Sequence, residues 1–275
     1  MRLVHSFSSY YCDNENLFRY MTYFILSCIY AKRSGFDIVV YCDNRSKEYL
    51  QLAPYDEIIT TLEGVEPPAN SKIYAWPKFF AMKNESLGSI HIDGDVLLKD
   101  KCLIDLLNFD SYDCIVQCLE DNYTYGNDSR YIWNMSKDAL SDIDYPYWAK
   151  RQCDFMYNCG VIGINNELLK HTYFDTYEAM IKAYNEHGNQ NTLGIPDIII
   201  EQQFLKDLTD HYGYSVKTLL PKFDRFNDLN EYCNSIHYQH VIGEGKQIHL
   251  NKALILIKRF DENIYNELIK LRNKY

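Results

Sequence analysis

The chain has 275 residues, 47% hydrophobic and 24% charged, which excludes a disordered polypeptide and suits one large α/β domain with a sizeable core. Its formal net charge of −10 argues against a nucleic-acid binder, which needs clustered Lys and Arg. A small phosphorylated ligand, held by a metal or a few local cations, stays compatible with that charge.

Nine cysteines occur without a CxxC pair; Cys153 and Cys159 come closest, at no recognisable zinc spacing. This usage suits reduced thiols in a cytoplasmic protein. The segment after Val4 is too polar for a secretory signal. No apolar run reaches the roughly 18 residues a membrane span needs. A peripheral position at the inner face of a membrane stays open, because the last residues carry an apolar stripe of Ile264, Leu268 and Leu271.

In chain order, Leu3 to Phe7 reads as a strand. Asn14 or Asn16 caps a helix with Leu17, Met21, Phe24, Ile25 and Cys28 at helical spacing, and Gly35 ends it. Asp37 to Cys42 is a second strand, so the sheet starts as a parallel βαβ unit. A short helix near Lys47 to Leu52 leads to an extended Glu57 to Thr60. Gly64 to Asn70, with Pro67 and Pro68, reads as loop. Trp76 to Lys83 is expected helical with Pro77 in its first turn. Ser89 to Ile92 is a strand, Cys102 to Leu107 a helix and Cys114 to Cys118 a strand.

Regular patterning breaks from Glu120 to Cys153, an aromatic stretch that either stacks on an acceptor or packs as a lid. It returns with a strand at Cys159 to Ile164, helices near Glu167 to His187 and Asp197 to Leu208, strands at Ser215 to Leu220 and Ser235 to Ile242, and a final helix. The alternation predicts an open, mostly parallel sheet with helices on both faces.

The chemistry concentrates at His91-Ile92-Asp93-Gly94-Asp95. In open α/β sheets the carboxyl ends of strands face the ligand crevice, so Asp93 and Asp95 would point into it. Two hard oxygen donors suit Mn²⁺ or Mg²⁺ with phosphate oxygens. Gly94 allows a tight turn between them. The alternative is a surface Asp-Gly turn, but acidic residues between two apolar runs need compensation by a cation or hydrogen bonds.

His240-x-x-Gly243-x-x-Lys246 supplies a third metal ligand, a close backbone approach and a positive charge for a diphosphate. The alternative is a half-buried strand histidine before a glycine-rich turn; His237 and His249 lack the spacing. Asn158 can donate to and accept from sugar hydroxyls, or serve as a turn residue.

In this order, Lys78, Asp93-Gly-Asp95, Asn158-Cys-Gly160-Val161, Glu201-Gln202 and His240 to Lys246 resemble the GT-A glycosyltransferases, above all the glycogenin-type retaining family (glycosyltransferase family eight). The run Trp76 to Asp95 also resembles uncharacterised bacterial GT-A-like proteins. The landmarks span residues 78 to 246. The resemblance departs in two places: Gly94 stands where that family usually has Ala, and Gln247-Ile248 where it has Pro-Trp.

The resemblance implies a GT-A α/β domain over 1–275. Residues 1–118 would form the nucleotide half, and 119–275 the acceptor half with a C-terminal metal and phosphate loop. It implies Mn²⁺ or Mg²⁺ on Asp93, Asp95 and His240, with catalytic roles for Asp95, Asn158 and Gln202, the last near the anomeric carbon. Donor contacts would come from His5, Ser6, Asp43, Lys78, Asp93, Gly94, Gly160, Gly243 and Lys246. The donor would be a nucleoside diphosphate sugar, above all a UDP-sugar, and the acceptor a glycan or another hydroxyl. Transfer would be retaining, by same-face attack, because no carboxylate nucleophile stands out. Three rivals are a haloacid-dehalogenase phosphatase, a nucleotidyltransferase using the same metal site and a non-catalytic nucleotide-sugar-binding domain. The first puts its motif on strand one, and the second usually needs a basic Gly-rich loop that Phe7-Ser-Ser-Tyr-Tyr lacks.

Overall fold

A computed structural model describes residues 1–10, 12–65, 74–99, 103, 108–121, 155–187, 198–222, 226–241 and 245–274. The first half builds β1 (Arg2–Phe7), α1 (Asn14–Arg33), β2 (Asp37–Cys42), α2 (Asn44–Leu50), β3 (Glu57–Ile59), α3 (Trp76–Asn84), β4 (Ile90–Ile92) and β5 (Val96–Leu98). After a 3₁₀ turn at Phe109–Ser111 come β6 (Cys114–Asp121), β7 (Phe155–Ile164) and α4 (Glu167–His187). A π-helical turn, Ile198–Gln203, runs into α5 (Phe204–Tyr212). The rest is β8 (Val216–Thr218), α6 (Phe226–Ser235), β9 (Tyr238–His240), α7 (Gly245–Ile248), α8 (Leu250–Phe260) and α9 (Glu262–Lys274).

Seven strands form one sheet in the order β3-β2-β1-β4-β7-β6-β8. The pairings β1–β2, β2–β3, β1–β4 and β6–β8 are parallel, while β7 runs antiparallel to β4 and β6. The fold class is therefore the expected one, an open, mostly parallel α/β sheet. Strand alternation divides the core into two layers. Leu3, Ile38 and Val40 pack with α1, α8 and α9 on one face. Val4, Val39 and Tyr41 pack with α3, α4 and α5 on the other.

The first helix shows how sequence sets an element. Asp13, not Asn14 or Asn16, is its cap: the carboxylate accepts the Asn16 N–H at 2.7 Å, an interaction worth about 1 kcal/mol. Leu17, Met21, Ile25 and Cys28 are buried, and each large apolar side chain contributes ~1.5–3 kcal/mol. The helix ends where Gly35 takes φ +83°, a left-handed conformation that disfavours other residues.

Several sequence expectations shift. Val96–Leu98 is a strand, paired with β9 as a separate two-stranded sheet. The expected strand at Ser235 to Ile242 is the end of α6 followed by β9 alone. The helix expected near Asp197 opens as a π-helical turn, and α8 is an additional helix. The Pro67-Pro68 loop, most of the helix at Cys102 to Leu107, residues 122–154 of the aromatic stretch and Gly243 lie outside the described residues.

Candidate metal and donor site

The Asp-Gly-Asp segment turns between β4 and β5. The Val96 N–H donates to the Asp93 carbonyl at 2.9 Å and closes the turn. On one side, the Asp93 N–H donates to the Gly160 carbonyl of β7 at 2.8 Å. On the other, β5 pairs with β9 so that Val96 faces His240, and the Val241 N–H donates to the Asp95 carbonyl at 3.0 Å. Residues far apart in sequence thus meet through backbone hydrogen bonds. Ligand atoms of Asp93, Asp95 and His240 lie within 4.8 Å of one another.

Two glycines make room for this packing. A Cβ on Gly94 would stand only 2.1 Å from two carbons of the Phe24 ring. Gly94 is not at positive φ, so the residue is required by its neighbour and not, as expected, by the turn. A Cβ on Gly160 would stand 2.5 Å from His240 Cε1, so its absence lets the imidazole sit against β7.

Each carboxylate has a cationic neighbour. Lys246 Nζ lies 2.5 Å from Asp95 Oδ2, and His240 Nε2 lies 3.3 Å from Oδ1. Burial pushes the Asp95 carboxyl up, but His240 and Lys246 outweigh it and hold it well below the usual range. Lys78 Nζ is 2.8 Å from Asp93 Oδ1, 2.6 Å from Glu201 Oε1 and 2.9 Å from the Cys159 carbonyl. Those three acceptors use all three ammonium donors. Burial works to lower the Lys78 ammonium, yet Asp93 and Glu201 hold it well above its ordinary value. Burial raises the Glu201 carboxyl against the pull of Lys78.

The donor set fits a hard or borderline divalent cation: two carboxylates and an imidazole converge, with His240 Nε2 turned towards Asp95. Beside them opens a cavity of about 320 Å³, lined by Ser6, Phe7, Tyr20, Tyr74, Trp76, Lys78, His91, Asp93, Asp95, Glu201 and Lys246 among others.

The model of a family of unknown function, DUF6734, matches residues 1–271. The chain belongs to this family. No curated protein matches it in sequence. Among solved structures it is similar to the galactosyltransferase LgtC in complex with donor and acceptor sugar analogs, at 11% identity and TM-score 0.42, over 79% of this chain and 73% of that one. It is also similar to the glycosyltransferase GlyE of Streptococcus pneumoniae, at 13% identity and TM-score 0.39, over 78% of this chain and 45% of that one. A third is the inositol-1-phosphate CTP transferase from T. maritima, at 12% identity and TM-score 0.38, over 86% and 94%.

In this DUF6734 chain the structure gathers Ser6, Lys78, Asp93, Gly94, Asp95 and Lys246 around the cavity. It turns His5 away: Nδ1 meets the Tyr55 hydroxyl at 2.7 Å, Nε2 meets Ser27 at 3.2 Å, and the residue is fully buried. Strand alternation explains this, because only one of His5 and Ser6 can face the crevice side. Asp43 caps α2, accepting the Ser46 N–H at 2.8 Å with one oxygen and the Ser9 N–H with the other, and does not line the cavity.

Asn158 does not line the cavity. Its Oδ1 accepts the Gly160 N–H at 2.9 Å, and its amide donates to Glu120 at 2.6 Å. Glu201 lines the cavity and Gln202 does not. Sequence reasoning missed the aromatic wall of Phe7, Tyr20 and Trp76, whose rings come from separate elements. It also missed His91 beyond its place in the motif: Nε2 meets the Ser6 hydroxyl at 2.8 Å, and burial, with Lys78 nearby, holds the ring neutral.

Among the described residues no helix is long and apolar enough to cross a membrane.

Proposed function

We propose that this protein is a divalent-cation-dependent glycosyltransferase that takes its sugar from a nucleoside diphosphate donor, a UDP-sugar above all. It would pass the sugar to a glycan or another hydroxyl acceptor. One observation carries the reading: the Asp93, Asp95 and His240 ligand atoms converge at the edge of a cavity whose walls mix aromatic rings with lysines. Mn²⁺ or Mg²⁺ held there would supply electrostatic stabilisation of the charge developing on a departing diphosphate. Lys246, now paired with Asp95, brings a positive charge to the same place. Lys78 has no donor to spare, so its part is to hold Asp93 and Glu201 in position. Phe7, Tyr20 and Trp76 offer flat faces to a nucleobase, and Ser6 a hydroxyl beside them.

Residues 1–118 form the nucleotide half in this reading and 119–275 the acceptor half, and the protein works in the cytoplasm. Retention by same-face attack follows from the resemblance of Glu201-Gln202 to the glycogenin-type pair. A second reading of the stereochemistry rests on Glu201, which lines the cavity and would be the available base for inversion. The anomeric configuration of the product, read by proton NMR, separates the two.

The test of the function is a thermal-shift screen of nucleotide sugars with and without Mn²⁺, followed by detection of released nucleoside diphosphate. A nucleotidyltransferase would not release it from a sugar donor. His240→Ala should weaken Mn²⁺ binding far more than His237→Ala or His249→Ala. Equal effects, or full transfer in excess EDTA, would sink the metal assignment.

A further inference from the structure

Behind the imidazole of His240 lies a buried polar group that the reading above does not use. Gln117 is a β6 residue, 3% exposed, and its Oε1 accepts the Tyr238 hydroxyl at 2.7 Å. The point where a Gly160 Cβ would stand is 2.5 Å from Gln117 Oε1 and 2.9 Å from His240 Nδ1. Both atoms therefore face the same small space, which exists only because residue 160 has no side chain. His240 Nδ1 is buried and has no hydrogen-bond partner among the described residues. Nε2 is the nitrogen turned towards Asp95 and the cation site.

We propose that Gln117 is the positioning residue of His240, accepting the Nδ1–H across the space above Gly160 when Nε2 binds a divalent cation. The argument is one of valence. An imidazole that gives the Nε2 lone pair to a cation carries its proton on Nδ1, and a buried N–H needs an acceptor. The Gln117 carbonyl has a second lone pair beyond the one used by Tyr238. A small rotation of the amide, or one bridging water, completes the bond. The tautomer and ring orientation of His240 are then fixed from behind, and the Tyr238 hydroxyl in turn holds Gln117. Tyr238 and His240 lie on one strand, so β9 carries both the ligand and the residue that steadies its support.

The inference rests on the metal reading, and the experiment keeps the two apart. Mn²⁺ affinity is measured on the whole protein by calorimetry or electron paramagnetic resonance, without donor or acceptor. The set is wild type, Gln117→Leu, Gln117→Glu and Tyr238→Phe, with melting temperature recorded for each metal-free protein. Gln117→Leu should lose tenfold or more in affinity, in line with the roughly 10–100-fold effect of such partners. Gln117→Glu, which keeps an acceptor, should bind at least as tightly as wild type. Tyr238→Phe, which keeps the acceptor but loosens it, should lose less affinity than Gln117→Leu. Should Gln117→Leu fail to fold, Gln117→Glu still decides, because a tenfold loss there contradicts the acceptor role. Equal Mn²⁺ affinity in Gln117→Leu and wild type, with only the melting temperature lowered, would overturn the proposal and reduce Gln117 to a partner of Tyr238. Absence of Mn²⁺ binding in wild type would overturn the metal reading itself.

Discussion

Replacing Gly94 by Ala adds one methyl group at a point closer than 3.0 Å to three carbons of the Phe24 ring, a separation real Cβ atoms essentially never show. Turning aside would cost the ring its aromatic neighbours. His5 packs against it edge-on at 5.1 Å between centroids and Phe7 at 5.3 Å, and Phe24 is itself a core residue of α1. Overpacking of this kind costs about 1–3 kcal/mol, and the rigid surroundings place this case at the upper end. Urea unfolding should therefore show a loss of roughly 3 kcal/mol for Gly94→Ala. In a Phe24→Leu background, where the ring is gone, the same change should cost under ~1 kcal/mol, a coupling of about 2 kcal/mol. A Gly94→Ala protein as stable as wild type, or an equal loss in both backgrounds, would refute the packing argument.

His5 is buried and its pKa is pushed down to about 3 by burial, so the unfolded chain binds its proton first. Stability is complete above the ordinary value near ~6.5 and falls as pH drops below it, by up to ~1.4 kcal/mol per unit until about pH 3. Denaturant midpoints between pH 6 and 4.5 should fall more steeply for wild type than for His5→Gln; parallel slopes would contradict this. Lys78→Met leaves the buried Glu201 without its cation and should cost about 3–5 kcal/mol, whereas Lys83→Met at the exposed Glu178 pair should cost at most ~1 kcal/mol. Similar losses in the two unfolding curves would show that burial does not govern these pairs.

Local signals carried elements in both halves of the fold. The strand Asp37–Cys42 and the helix Glu167–His187 stand where periodicity puts them, because a continuous apolar run and a helical stripe are each encoded within a few turns. What escaped depends on distant partners. Val96–Leu98 is too short to be recognised alone and becomes a strand through pairing with Tyr238–His240. The direction of β7 is likewise set by its neighbours and not by its own residues. At the site, strand alternation separates His5 from Ser6, and the helical phase separates Glu201 from Gln202. A one-residue difference of face is what sequence spacing resolves least well.

The pairing of β5 with β9 also has a temporal side. Asp93 and Asp95 are synthesised long before His240 and Lys246, and at about 5–20 residues per second the interval is on the order of ten seconds. Until β9 arrives, the nascent chain holds an acidic turn with neither its imidazole nor its lysine from α7. Divalent ions can visit such a turn but find no closed set of ligands. The candidate ligand set is therefore completed late, when a three-residue strand docks, and a polypeptide interrupted before residue 238 would carry the motif without the third candidate ligand.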